Sequence, residues 1–220
     1  MKPIVIFGDG DIAELADFYF THDSPYEVAA FTVDEAYLKR HEFRGRPVVP
    51  FERVTETHPP DHYQLFIAIS YARLNEVRAD RVALAKERGY SLASYLSSRA
   101  TVFPGFELGE NCFILEDNTI QPFAKIGSNV TLWSGNHIGH HSVIENDVFI
   151  ASHVVVSGGA KVGHGSFVGV NVTIRDHVTI GERCVLGAGA LVLADQPDLS
   201  VVAPRATERA KIPSHRLRGI

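Results

Sequence analysis

The sequence of 220 residues has only two cysteines, Cys112 and Cys184, and they stand 72 positions apart. A disulfide scaffold is therefore not expected, and the fold has to rest on packing. Positive charge is scarce too, since 21 Lys and Arg face 26 Asp and Glu for a formal net charge of −5. That balance lacks the basic stripe a nucleic-acid partner would need. No long apolar run opens the chain: Ile4-Val5-Ile6-Phe7 is short and is followed by Asp9, Asp11, Glu14 and Asp17. Neither a secretory leader nor a membrane span is expected, and the expected location is cytoplasmic. A complete dinucleotide fingerprint is also missing, because the first turn has Gly8 and Gly10 where three glycines are wanted. NAD and FAD are not expected.

What the chain does have is a period of six. Every sixth residue from Val102 through Leu108, Ile114, Ile120 and onward to Val192 is Leu, Ile or Val, without a slip. Neither the helical period of 3.6 nor the strand period of 2 demands this, so the second half reads as a repeat architecture. Glycine follows many of these aliphatics, as at Gly127, Gly139, Gly163, Gly169, Gly181 and Gly187, which predicts one turn per repeat. Three short strands per coil make a triangular prism, with residues eighteen apart stacked at the ~4.8 Å strand spacing. Small residues two positions before each aliphatic, among them Cys112, Ala124, Ser142 and Cys184, are predicted to fill the inner corners. The cysteines then lie four coils and roughly 19 Å apart as buried apolar groups, beyond disulfide reach. Asn118 and Asn136 fall on the same inner positions and read as a structural amide ladder. No insertion breaks the register, so no long lid is expected. Phe103, Phe106, Phe113, Phe123, Trp133, Phe149 and Phe167 lie outside it, and their expected cover is the face of an identical chain.

The first half reads as a parallel α/β sheet of Rossmann type. Residues 4–7 form a strand, Gly8-Asp9-Gly10 a turn, and Ile12, Ala13, Leu15, Ala16, Phe18 and Tyr19 the apolar stripe of a helix. Strands are expected at 28–33 and 64–69, an amphipathic helix at 73–88, and a passage into the prism at 90–96. The expected domains are 1–95, 96–193 and an irregular tail, 194–220, with at most a short turn around Ala206 to Ala210. Gly8, Asp9, Gly10, Asp34 and Ser70 would converge at the carboxyl ends of the strands, beside a helix N-terminus that favours phosphate. Asp9 or Asp11 as a simple helix cap is the competing reading.

The prism holds a dense histidine tract, His137, His140 and His141, with His153, His164 and His177 on later coils. A solvated face is more commonly built from Lys and Glu, and imidazole accepts a proton near neutral pH, so a general base is expected here. A zinc site of the prism-shaped carbonic anhydrases would need two histidines five positions apart. No such pair exists, so no metal is expected, and His140 and His141 are expected to project in different directions.

With its Gly8-Asp9-Gly10 turn, its Phe66-Ile67-Ala68-Ile69 strand and the run Ile138-Gly139-His140 in an unbroken hexapeptide register, the chain resembles the sugar acetyltransferases of the bacillosamine, perosamine and sialic acid pathways. The resemblance implies a Rossmann-like domain followed by a left-handed parallel β-helix. It also implies a homotrimer that binds a nucleotide-linked amino sugar in the first domain and acetyl-CoA between adjacent prisms. The family's catalytic histidine falls on His140. The next position, commonly Glu, is His141 here, which leaves Asp147 or Glu145 as orienting partners if the fold brings either close. His153, Gly158, Gly159, Gly163, Arg175 and Arg183 are the expected acyl-donor residues. The glycines among them are candidate oxyanion donors, and the arginines begin a basic bias toward the CoA phosphates that continues through Arg205, Arg209, Lys211, Arg216 and Arg218. The expected reaction is N-acetylation. O-acetylation by the same base, or a non-enzymatic scaffold that binds sugar nucleotides, are the alternatives.

Overall fold

The structure, a computed structural model, describes residues 2–209 and 212–216. Ala210, Lys211 and Arg218 of the expected tail lie outside the described residues. The first domain runs β1 (Ile4–Phe7), α1 (Asp11–His22), β2 (Val28–Val33), β3 (Glu42–Phe43), β4 (Arg46–Pro50), α2 (Val54–Thr57), β5 (Gln64–Ile67) and α3 (Glu76–Glu87). The sheet order is β3-β4-β2-β1-β5, parallel except for the β3/β4 edge. β1 is buried along its whole length between two apolar layers, as a central parallel strand must be.

Two local differences from expectation have clear causes. The hairpin at 42–50 turns through Arg44 and Gly45, both left-handed at φ 53° and 75°, and the prolines of β4 hid it. The helix expected from residue 73 starts only at Glu76, because Arg73, Leu74 and Asn75 are all left-handed.

The prism is built as the period requires. Two-residue strands ending on the repeat aliphatic form three parallel sheets, and strand partners are eighteen residues apart, as in Thr131–Leu132 against Phe149–Ile150. One sheet, from Tyr95–Leu96 to Val201–Val202, faces the first domain and is here termed the docked face. The second points Thr101, Thr119, His137, Val155, Thr173 and Leu191 outward, the threonine face. The third carries Lys125, Val143, Lys161 and Thr179, the lysine face. Repeat aliphatics and inner-corner residues form one buried column, with Cys112 and Cys184 inside it. The amides of Asn118 and Asn136 bond backbone, both donating to the carbonyl of Trp133.

Each corner turns through one left-handed residue, at every sixth position from Gly105 to Gly189, with φ between 53° and 87°. Gly, Asn, Asp and His hold all these corners except Phe123 and Arg183. Those are the types that tolerate the left-handed region most readily. The glycines after the aliphatics, expected to make the turn, serve another purpose. A Cβ on Gly139 would lie 2.6 Å from the backbone nitrogen of Gly158, and one on Gly163 2.4 Å from the carbonyl oxygen of Gly181. They allow successive coils to approach.

The tail also continues the prism further than expected. Val201–Val202 pairs with Val185–Leu186 at an offset of sixteen residues. A strict period of eighteen would have put Pro204 opposite Leu186, and proline has no N–H for the ladder.

The aromatics of the docked face are covered within the chain and not by a second copy. Phe113 meets Tyr19, Phe66 and Tyr95, and Tyr71 lies 5.0 Å from Phe149 and 4.7 Å from Phe167 between ring centroids. Of the seven aromatics expected against a partner, Phe103 and Phe123 remain exposed.

A polar seam fixes the docking. Arg78 of α3 is 1% exposed; its Nε donates to Asn129 Oδ1 and one terminal nitrogen to the Asn129 carbonyl, both at 3.0 Å. Burial lowers its guanidinium to about 10, with Asp147 opposing that shift. Asn111 joins β5 to the same site, accepting from the Ile67 N–H at 2.7 Å and donating to Asn129 Oδ1 at 2.8 Å. Removing Arg78 strands buried acceptors. Arg78→Met is expected to lower unfolding free energy by about 2–4 kcal/mol in urea titration; an unchanged midpoint would show that the seam is not a principal tie.

Candidate active site

The carboxyl ends of β1, β2 and β5 open into a cleft of about 750 Å³. Gly8, at φ +125°, makes the turn out of β1, and a Cβ there would meet the Ala68 carbonyl oxygen at 3.0 Å. α1 then starts at Asp11, and its N-cap Gly10 offers no side-chain hydrogen bond, so neither Asp9 nor Asp11 acts as the cap. Gly8, Asp9, Gly10, Asp34 and Ser70 all line this cleft, together with Asp11, Tyr37, Tyr71 and Trp133. The acidic lining is partly neutralised: Arg40 pairs with Asp9 at 3.3 Å and Arg81 with Asp34 at 2.6 Å. Sequence reasoning missed both arginines, since nothing in their spacing ties them to the glycine turn. A second hollow of about 410 Å³ shares Ile12, Ser70, Tyr71 and Trp133 with the first and runs on to Phe149, Ser152 and Val170. The two form one furrow from the first helix to the corner between docked and threonine faces.

His140 and His141 lie on another corner, between the threonine and lysine faces, and both are exposed. Gln121 Oε1 accepts the His140 backbone N–H at 2.9 Å, and the Gly159 N–H donates to the His140 carbonyl at 2.8 Å. The His140 imidazole sits over Gly158, where a Cβ would lie 2.7 Å from Cε1 and Nε2. The two rings do not diverge as expected. Because His141 is left-handed at φ 60°, the rings turn toward each other, with Nδ1 to Nδ1 at 3.1 Å and planes at 84°.

The acids considered as orienting partners are engaged elsewhere. Glu145 pairs with Lys161 at 2.6 Å and accepts the His164 backbone N–H; Lys161 holds its carboxyl below the usual range. Asp147 lies 3.3 Å from His164 Nδ1 and accepts from the Asn129 amide. Both belong to the corner between lysine and docked faces.

The expected acyl-donor residues are likewise divided. Gly158, Gly159 and Arg175 share the corner of His140. Gly163 and Arg183 lie on the lysine/docked corner, where the Arg183 guanidinium pairs with Glu76 of α3 and serves domain docking. His153 sits on the docked/threonine corner with its ring over Gly135. Three of the histidines that made the tract unusual, His141, His153 and His177, are left-handed corner residues. Neither His140 nor His141 lines the furrow, so within one chain the two halves of the expected site lie apart. Among the described residues no three His, Cys, Asp or Glu side chains group as a metal site, and no helix is long and apolar enough to cross a membrane.

Residues 123–158 and 159–194 each match the family model for the bacterial transferase hexapeptide of six repeats. The prism is a left-handed hexapeptide β-helix. Among solved structures, the fold resembles PerB from Caulobacter crescentus, solved with CoA and GDP-perosamine, at TM-score 0.81 and 25% identity over 91% of this chain and 93% of that one. The acetyltransferase domain of PglB from Neisseria gonorrhoeae, solved with acetyl coenzyme A, gives TM-score 0.80 at 18% identity over 91% and 95% of the two chains. WeeI from Acinetobacter baumannii gives 0.70 at 20% identity over 92% and 97%. No curated protein matches the sequence. Residues 123–194 thus carry the bacterial transferase hexapeptide, and the chain shares the two-part fold of these solved sugar-nucleotide acetyltransferase structures.

The seat of His140 on Gly158 has a direct check. Gly158→Ala is expected to displace the His140 ring, shifting its Hε1 and Hδ2 resonances while those of His164 stay in place and Tm barely changes. An unmoved His140 signal would contradict that packing.

Proposed function

We propose that the protein transfers the acetyl group of acetyl-CoA to the amine of a nucleotide-linked aminodeoxy sugar, with His140 as general base. The observation that carries this reading is the His140 imidazole itself: exposed on the prism corner, seated over Gly158 and engaged at Nδ1 by His141. A sugar amine attacks a thioester only when uncharged. An imidazole, with a reference pKa of about 6.5, is suited to take its proton during attack or collapse of the tetrahedral adduct.

The first-domain cleft supplies what a nucleotide diphosphate requires. The uncapped α1 N-terminus presents backbone N–H groups, and Gly8 and Gly10 keep the turn free of side chains. Asp34, at the end of β2, keeps a carboxylate oxygen for ribose hydroxyls beside its pairing with Arg81. On the histidine corner, Gly158 and Gly159 seat the rings of His140 and His177, and Arg175, two coils beyond Gly139, is suited to provide positive charge for the donor phosphates. An N–H of that glycine turn is suited to polarise the thioester carbonyl. His153, Gly163 and Arg183 are less suited to the same cleft in one chain, given the corners they occupy.

Since cleft and base lie apart in one chain, we further propose a homotrimer in which one copy lends its first domain and the next its histidine corner. The threonine face, on which Thr101, Val155 and Leu191 are exposed in the single chain, suits that packing. The decisive assay is thiol release from acetyl-CoA against UDP-, dTDP- and GDP-linked 3-amino and 4-amino sugars. Turnover with at least one amine, lost by roughly 10²–10⁴-fold in His140→Ala, is expected. Turnover with hydroxyl sugars alone would replace N-acetylation by O-acetylation, and none with either would leave a binding scaffold.

A further inference from the structure

At two of the corner histidines the ring lies over a glycine one coil earlier, His153 over Gly135 and His177 over Gly159. His141 differs. The residue one coil before it is Phe123, whose ring stands 4.8 Å from the His141 ring at 38°. Phe123 is 73% exposed and left-handed at φ 66°. A bulky residue in that region costs roughly 1–2 kcal/mol, and the exposed ring recovers little of this by burial. Strain of this kind is a reason to look for a role at a neighbouring site.

That neighbour is the contact between His141 Nδ1 and His140 Nδ1 at 3.1 Å. Two facing ring nitrogens can hold one proton between them, so the tautomers of the pair are linked. If His141 donates, His140 carries its proton on Nε2 and is no base. If His140 donates, its Nε2 lone pair is free. Neither Glu145 nor Asp147 is placed to balance an imidazolium on His140. The other groups around the pair are Gln121 and Pro122 before it, Arg175, Asp176 and His177 farther along the corner, Lys125 and Lys161 flanking Val143 on the lysine face, and His137 on the threonine face.

We propose that His140 and His141 form a two-ring proton relay, with Phe123 as the positioning residue that holds the His141 ring. The relay rests on the acetyl-transfer reading above and deepens it. As the acceptor nitrogen bonds to the thioester carbon, its proton passes to His140 Nε2. The Nδ1 proton of His140 moves to His141 Nδ1, and the Nε2 proton of His141 leaves to water, so no charge stays on the pair. As the C–S bond breaks, His140 Nε2–H protonates the departing thiolate. His141 returns its Nδ1 proton to His140 and takes one from water at Nε2, which restores both rings.

The relay is testable without any substrate. In ¹⁵N-histidine-labelled protein, with signals assigned through His140→Asn and His141→Asn, two-bond ¹⁵N–¹H correlations are expected to show His140 protonated on Nδ1 and His141 on Nε2. A His140 ring protonated on Nε2 overturns the relay, whatever the acceptor proves to be. Two rate measurements add to this. Phe123→Gly removes the ring but suits the left-handed corner, so Tm is expected to hold or rise while kcat falls roughly 10-fold and KM for acetyl-CoA is unchanged. His141→Asn, whose amide oxygen accepts the same Nδ1–H but passes no proton on, is expected to keep the His140 tautomer and still lose roughly 10-fold in kcat. Full kcat in His141→Asn overturns proton transfer through His141, and full kcat in Phe123→Gly overturns the positioning role.

Discussion

The structure depends on a backbone constraint repeated at every corner of the prism. Each six-residue step turns through a residue in the left-handed region, and that turn lets a flat two-residue strand follow another at a new face. The steric cost falls on whichever side chain stands there, which explains why Gly, Asn, Asp and His dominate these positions. With the corners set, the aliphatics stack into one column and the glycines after them let neighbouring coils close up. The same constraint places His141 and turns its ring onto His140. A histidine selected by corner geometry thereby becomes the neighbour of the proposed base.

The second organising element is the seam between the domains. Arg78, Asn75 and Asn111 bring α3, the turn before it and β5 onto the lysine/docked corner through Asn129, Gly165 and Ser166. These contacts are directional, so they set the angle of the first domain, while Tyr71 on Phe149 and Phe167 supplies apolar cover. The furrow owes its shape to both, for Tyr71 and Trp133 form the wall shared by its two hollows.

The prism was legible because its signal repeats. The aliphatic at every sixth position and the small residue two before it correspond to buried positions over nearly the whole repeat. The convergence of Gly8, Asp9, Gly10, Asp34 and Ser70 was legible from strand order alone. Other features were hidden because they depend on distant contacts. Phe149 and Phe167 look like surface aromatics until Tyr71 is placed on them. Arg183 looks like a phosphate ligand until Glu76 is opposite. The prolines of β4 masked a strand that pairs in parallel with β2, and the corner histidines looked like a chemical cluster because their six-residue spacing, shared with Gly, Asn and Asp at the other corners, is overshadowed by the aliphatic repeat.

The central functional claim is that the cleft and the base of one working site come from different copies of the chain. Subunit exchange between His140→Ala and Gly10→Phe tests it most directly. A side chain at Gly10 enters the cleft with nothing within 4 Å of its Cβ, so the substitution fills the site without straining the turn. Each variant alone is expected to be inactive, and an equal mixture of trimers is expected to regain about a quarter of wild-type activity, from sites with an intact cleft on one copy and His140 on the next. A mixture of fully exchanged trimers that stays inactive would contradict the shared site.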